Sequence, residues 1–282
     1  MDVSIGIIAY NEEKNIKKLI QSLLNQKLKN VKIKEIIVVS SGSTDKTNKI
    51  VKDFKKVKLI IQKKRLGKAS GINQFLKAAK SKILVLSSAD IIPKKKTIEK
   101  LCFPLKNKKI GICGSKPIPI KKNNSIINKI VKFQWFLHHK SSLILPKYGE
   151  MIAFKNIIDK IENTAADEEY IAMKILNKGF NGLYSKYAIV NNFGPTKISD
   201  LIKQRRRIYW GHLELFKIKK YKTSSLNYLI IFKEIVKIIN CNNFHIIIIA
   251  SILESYSRFL GTIDYYFKKN HYIWEISKST KK

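Results

Sequence analysis

The apolar run Lys82 to Leu86 is followed by Ser87-Ser88-Ala89-Asp90 and then Ile91-Ile92-Pro93. A buried run of this kind reads as a strand of a parallel sheet, and ligands of open α/β sheets meet the carboxyl ends of such strands. Asp90 is therefore either a ligand-binding acid or a turn residue. Two earlier strand-like runs end in the same way, in Ala9-Tyr10-Asn11-Glu12 and in Ser40-Ser41-Gly42-Ser43-Thr44-Asp45. Each polar cluster alone fits a helix cap or an ordinary turn; three of them at one sheet edge point to a site. Lys68 follows Gly67 at the start of a helical pattern, where free N–H groups and the helix dipole favour an anion. A phosphate loop of the NTPase kind requires another glycine five positions before Gly67, and Gln62 stands there.

These residues need a scaffold that brings them together. Through the first half, β-rich runs ("VSIGIIAY", "KEIIVVSS", "VKLIIQ", "KILVLSSAD") alternate with helical patterns over Glu12 to Gln26, Asp45 to Phe54 and Gly67 to Ala79. The rhythm predicts an α/β fold with a doubly wound, mostly parallel sheet and right-handed crossovers. After about Asn191 the chain turns helical, basic and apolar in patches, which divides it into an α/β part, 1–198, and a helical extension, 199–282.

Lys and Arg number 56 against 20 Asp and Glu, a net charge of +36. That balance favours nucleic acid, an anionic membrane surface or phosphate-bearing substrates, although much of it is lysine spread over a solvated surface. With 45% hydrophobic residues the chain is not a disordered one. Cys102, Cys113 and Cys241 have no zinc or disulfide spacing, and the amino terminus enters a strand-like run with no leader pattern, so a reducing, cytoplasmic setting is expected.

The succession "VSIGIIAYNEEKNI", "EIIVVSSGSTDKT", "RLGKASGIN" and "LVLSSAD" resembles the family 2 glycosyltransferases, over Val3 to about His212. The resemblance implies a GT-A-type fold and inverting transfer of a sugar from a nucleotide diphosphate donor. It places Ala9, Tyr10, Asn11, Glu12, Ser40 and Ser41 around the nucleoside, with Arg65, Gly67 and Lys68 approaching the nucleotide. Family members carry Asp-x-Asp where this chain has Ser88-Ala89-Asp90, so Asp90 is the expected ligand of Mg²⁺ or Mn²⁺, with Ser88 offering a hydroxyl or a bound water. The segment Gly149 to Lys155 resembles the stretch beneath the donor sugar. The acids that open the next helix, Asp167 and Glu168, are the two candidates for the base that deprotonates the acceptor; both would also complement the helix dipole.

Gln204 to His212 resembles the Gln-x-x-Arg-Trp element of membrane-associated relatives, with Ile208 at the usual tryptophan place and Trp210 later. Gln204 and Arg207 are one helical turn apart, so both can face the pyrophosphate, and Arg206 and Trp210 are assigned to the same diphosphate and acceptor region. His138, His139 and His212 lack metal spacing.

Between Lys237 and Glu254 no charged residue occurs, yet the run falls short of the roughly 20 apolar residues a spanning helix needs. Amphipathic helices in the interface fit better, with Lys233 and Lys237 toward headgroups and Tyr256, Tyr265 and Tyr266 at the boundary. The expected partners are a nucleotide-sugar donor, a lipid-linked or membrane-proximal glycan acceptor and the anionic inner face of the membrane, with nucleic acid disfavoured. The missing second carboxylate also allows a catalytically impaired nucleotide-sugar-binding or scaffold protein.

Overall fold

A computed structural model describes residues 1–120, 124–240 and 243–273; Cys241 lies outside them. One eight-stranded sheet runs through the molecule in the order β3-β2-β1-β4-β7-β6-β8-β5. Its first part is the expected parallel unit: β1 (Asp2–Ala9), β2 (Lys32–Ser41), β3 (Val57–Gln62) and β4 (Ile83–Ser88). The chain builds outward from β1 to β3 and then returns to lay β4 on the other side of β1. The carboxyl ends of β1 and β4 thus flank a topological switch point, where open α/β sheets leave a crevice.

Beyond β4 the sheet is mixed. Strand β7 (Met151–Lys155) runs antiparallel to both β4 and β6 (Ile110–Pro119); β8 (Asn181–Asn192) is parallel to β6; and the short β5 (Ile91–Pro93) closes the edge antiparallel to β8.

Helices cover both faces. Helix α1 (Ile16–Leu24) buries Ile16, Leu19, Ile20 and Leu23, a spacing that makes a single apolar stripe. With α2 (Thr47–Lys52) and α4 (Thr97–Cys102) it packs on the face formed by Val3, Ile5 and Ile7. On the other face lie α3 (Lys68–Ala78), through Ile72 and Phe75, and α6 (Asp167–Leu176), through Tyr170, Ile171 and Ile175. A third cluster, Ile130, Val131, Leu201, Ile246 and Ala250, joins α5 (Ile126–Ile144), α7 (Ile198–Lys219) and α9 (Phe244–Tyr266). Helix α8 (Tyr228–Val236) lies before α9 and keeps most of its side chains exposed.

Helix α9 differs from the expectation of a short apolar run. It continues through Glu254 to Tyr266, and its 23 residues make it, among the described residues, the one helix long and apolar enough to cross a membrane by length and composition. Its charged residues turn inward: Glu254 receives Nε of Arg205 at 2.7 Å and of Arg258 at 2.7 Å, and Asp264 pairs with Arg206 of α7.

Two glycines set the donor-side loops. Gly42 has φ +72°, and a Cβ there would lie 2.7 Å from the backbone nitrogen of Arg65. Gly67 has φ +86°, and a Cβ there would lie 3.0 Å from the carbonyl of Tyr272, which brings the segment after α9 over the start of α3. Gly42→Ala is expected to combine left-handed strain with a backbone clash and to destabilise the fold by roughly 1–3 kcal/mol, read as a lowered Tm.

Candidate active site

Tight turns immobilise the loops at the ends of β1 and β2. Asn11, with φ 52°, donates its backbone N–H to Ser43 Oγ (3.1 Å) and accepts the Thr44 N–H on its side chain (2.8 Å). Glu12 donates its N–H to Thr47 Oγ1 (2.7 Å), while its carboxylate accepts from the Asn15 amide (2.9 Å). The Arg65 guanidinium lies 4.1 Å from the centroid of the Tyr10 ring. Ser40 donates to Ser43 at 2.9 Å, and the Ser41 hydroxyl is buried with no hydrogen-bond partner. Of the expected nucleoside residues, Tyr10 and Asn11 hold a partly exposed rim with Arg65, expected at the nucleotide, whereas Glu12 and Ser40 brace it from within.

Past the carboxyl end of β4 opens a cavity of about 410 Å³ whose lining includes Lys68, Ser88, Asp90, Glu150, Glu168 and Arg207, but none of the rim residues. Asp90 follows β4, and its carbonyl accepts the N–H of Phe193 at 3.2 Å. Glu150 stands beside it because β7 pairs with β4: the Ser88 N–H donates to the Glu150 carbonyl at 2.8 Å. The Glu150 backbone sits at φ 59°, a conformation that side chains seldom adopt outside functional sites. Burial, with Asp90 and Glu168 nearby, pushes its carboxyl up to about 8.

The three acids of α6 have separate environments. Glu169 is held by the backbone N–H of Tyr148 (3.0 Å) and the Tyr221 hydroxyl (3.1 Å). Asp167 is 0% exposed, its side-chain oxygens accept no hydrogen bond, and Lys68 Nζ lies 3.8 Å away. Burial pushes its carboxyl up to about 7 against the opposing charge of Lys68. Glu168 alone of the three combines a place on the wall beside Asp90 and Glu150 with a direct ion pair to Lys68. Burial would raise its pKa, but the charge and hydrogen bond of Lys68 hold it below the ordinary value. Glu168 and Asp167 in turn outweigh the burial of Lys68 and raise its pKa. Arg207, whose Nη1 donates to the carbonyl of Ala165 at 3.2 Å, is lowered by burial to about 10 despite these carboxylates.

Gln204 and Arg207 share the cavity wall, as their spacing predicts, and Ile208 and Arg205 join them. The assignment of Arg206 and Trp210 to the same region is corrected by the structure. They are four residues apart and lie on another face of α7: Arg206 is paired with Asp264, and the Trp210 ring packs 5.4 Å from the rings of His271 and Tyr272. His138 and His212 line the cavity, while His139 bonds to the Tyr184 hydroxyl (2.9 Å). Among the described residues no group of three or more His, Cys, Asp or Glu is placed to hold a metal ion by itself. Sequence reasoning missed Glu150, Lys147 and Arg258 on the cavity wall; only Glu150 carried a signal, an acid inside a segment already singled out.

A sheet that reverses at β7, with acids and cations gathered at the switch point, defines an α/β protein with a charged crevice at the carboxyl ends of its parallel strands. Residues 4–161 match the family model described as Glycosyl transferase family 2, and the chain belongs to that family. It is 38% identical over 118 residues to an uncharacterized glycosyltransferase of Haemophilus influenzae, covering 40% of this chain and 36% of that protein. It is 25% identical over 240 residues to the probable glycosyltransferase YdaM of Bacillus subtilis, covering 78% of this chain and 56% of that protein. The chain thus spans about half or less of the length of these relatives. Among solved structures it is similar to a mannosyltransferase of Pyrobaculum calidifontis in complex with GDP-Man and Mn²⁺, with a TM-score of 0.70 at 17% identity over 95% of this chain and 88% of that one. It is also similar to glucosyl-3-phosphoglycerate synthase of Mycobacterium tuberculosis, with a TM-score of 0.52 at 16% identity over 75% and 78% of the two chains.

The buried Asp167 generates a pH prediction. Because its folded pKa lies above its ordinary value, its ionisation costs stability increasingly as pH rises from about 4 to about 7. Asp167→Asn removes that cost, so the Tm of the variant relative to wild type is expected to be higher at pH 8 than at pH 5.

Proposed function

We propose that this chain is an inverting glycosyltransferase that moves a sugar from a nucleotide diphosphate donor to an acceptor hydroxyl held at the cytoplasmic face of a membrane. The observation that carries the reading is the meeting of Glu168, Lys68, Asp90, Glu150 and Arg207 on one wall of a cavity at the switch point. Tyr10 and Arg65 stack at the nucleoside rim, and Lys68, Gln204 and Arg207 face the diphosphate. Asp90, the Ser88 hydroxyl and Glu150 offer a hard oxygen set, in which burial first and then the charge of Asp90 raise Glu150. That set fits Mg²⁺ or Mn²⁺, which keep phosphate and water among their ligands and need no all-protein cage. When bound there, the ion supplies charge neutralisation for the departing diphosphate.

Glu168 takes the role of base, the choice between the two acids following from Asp167's burial behind the wall. Its low pKa keeps it ionised at neutral pH, ready to accept the proton of a hydroxyl as that oxygen attacks the anomeric carbon from the side opposite the diphosphate. Lys68, paired with Glu168 in this structure, is positioned to turn toward a donor phosphate and leave the carboxylate available. Glu168→Gln is expected to keep nucleotide-sugar affinity within about twofold while lowering turnover by ~10²-fold or more. In the same assay Asp90→Ala is expected to remove the Mn²⁺ dependence of donor binding. Full turnover in Glu168→Gln would return the base assignment to Asp167 or make the chain a binding protein.

The membrane part of the proposal rests on α8 and α9. Leu229 (72% exposed), Phe232, Phe259 and Phe267 (80%) leave an apolar face uncovered, with Lys233 and Lys237 beside it, while the charged side of α9 is consumed by α7. That division favours helices lying in the interface, held by apolar burial and by attraction to anionic lipid. Binding to anionic vesicles is expected to weaken with salt and to be lost in Phe232→Glu/Phe259→Glu, measured by co-sedimentation. Release by detergent alone would favour a spanning α9.

A further inference from the structure

The cavity does not end at the catalytic wall. It continues between α5, α7, α8 and α9 along Val131, Leu201, Ile208, Ile231, Ile235 and Ala250, all apolar. The charges along this extension are Lys147, Arg205, Arg258, Glu169 and Glu254. Glu254 is occupied by Arg205 and by Nε of Arg258, and Glu169 by Tyr148 and Tyr221. Two donors are left over. Nη1 of Arg258 is buried with no hydrogen-bond partner, and the Lys147 ammonium, on the cavity wall, makes no hydrogen bond or ion pair with the described residues. Burial and the neighbouring Arg205 pull Lys147 down to about 8 against the opposing charges of Glu169 and Glu254, which are already engaged by other donors.

A cation with no direct ion pair, in a set of three cations and two carboxylates beside an apolar channel, has a particular complement: an anionic headgroup attached to a hydrocarbon chain. A nucleotide would leave the apolar wall unmatched, and a neutral glycan would leave Lys147 and Arg258 unmatched. We infer that this end of the cavity seats the phosphate of a lipid-linked acceptor, with its headgroup on Lys147 and Arg258 and its chain along the wall of α5, α8 and α9. Tyr228 lines the cavity and is itself exposed, and its neighbour Leu229 belongs to the uncovered apolar face of α8, so a lipid chain seated here would lie next to the face proposed to meet the bilayer. The inference rests on the transfer reading above and names the chemistry of its acceptor. The acceptor's sugar then lies between the anion seat and Glu168, which line one cavity.

The test uses the full chain, with Trp135 on the cavity wall as a fluorescent reporter and farnesyl phosphate, farnesol and inorganic phosphate as probes. Farnesyl phosphate is expected to bind at least roughly tenfold more tightly than either of the others, as a charge-assisted phosphate contact would give. Lys147→Met is expected to erase that advantage, Lys147→Arg to keep it, and both to bind UDP or GDP as wild type does. Ile231→Asp, on the exposed helix α8, serves as a second variant that puts a carboxylate in the channel without touching the buried charges; it too is expected to abolish farnesyl phosphate binding. Equal affinity for farnesol, equal affinity for inorganic phosphate, or an unchanged farnesyl phosphate affinity in Lys147→Met and Ile231→Asp would each overturn the inference. Failure of wild type to bind any nucleotide sugar would sink the transfer reading while the farnesyl phosphate result still decides this site.

Discussion

The ion pair between Lys68 and Glu168 ties together two parts of the molecule that are 100 residues apart in sequence. Lys68 opens α3 at the donor side, and Glu168 opens α6 at the far side of the crevice. Both helices pack on the same face of the sheet, so their amino termini project to the same edge. Two helix starts so close present free N–H groups to the crevice, and the acids of α6 compensate that field on one side only. The outcome is an edge that carries a cation and free N–H groups on the α3 side and carboxylates on the α6 side. Burial strengthens both, because charges away from water interact at a lower effective dielectric.

The same logic runs in reverse along α7 and α9. A soluble helix pair ordinarily joins apolar faces and shows charges to water. Here Arg205, Arg206, Glu254, Arg258 and Asp264 lie between the helices, while Phe244, Ile248, Ile252 and Phe259 of α9 face out. Such an interface fixes register strongly, since a shift of one residue would strand a charge. It also explains why Arg206 is unavailable to the cavity although it sits next to Arg207.

Much of this was legible in the sequence where the signal is local. The alternation from Val3 to Asp90 predicts β1 to β4 and their helices, because each parallel strand is a short buried run bounded by turn residues. The one-turn spacing of Gln204 and Arg207 predicts their shared face. What the sequence hides is set by pairing across distance. Glu150 becomes a neighbour of Asp90 only because β7 enters the sheet antiparallel beside β4, aligning Ser87 with Met151. The fate of Arg206 depends on Asp264, 58 residues downstream. Likewise, nothing local distinguishes Asp167 from Glu168, two adjacent acids that helix geometry turns about 100° apart, one into the core and one to the cavity wall.

Glu150 carries two separate burdens, a left-handed backbone that a glycine would adopt freely and a carboxyl whose ionised form is disfavoured by burial beside two other acids. Apart from a hydrogen bond to Asn192, the fold gains little from either. A lineage or a laboratory selection that rewarded heat resistance alone would therefore drift toward a small, neutral side chain at residue 150, so an acid kept there under such selection would point to a use other than folding.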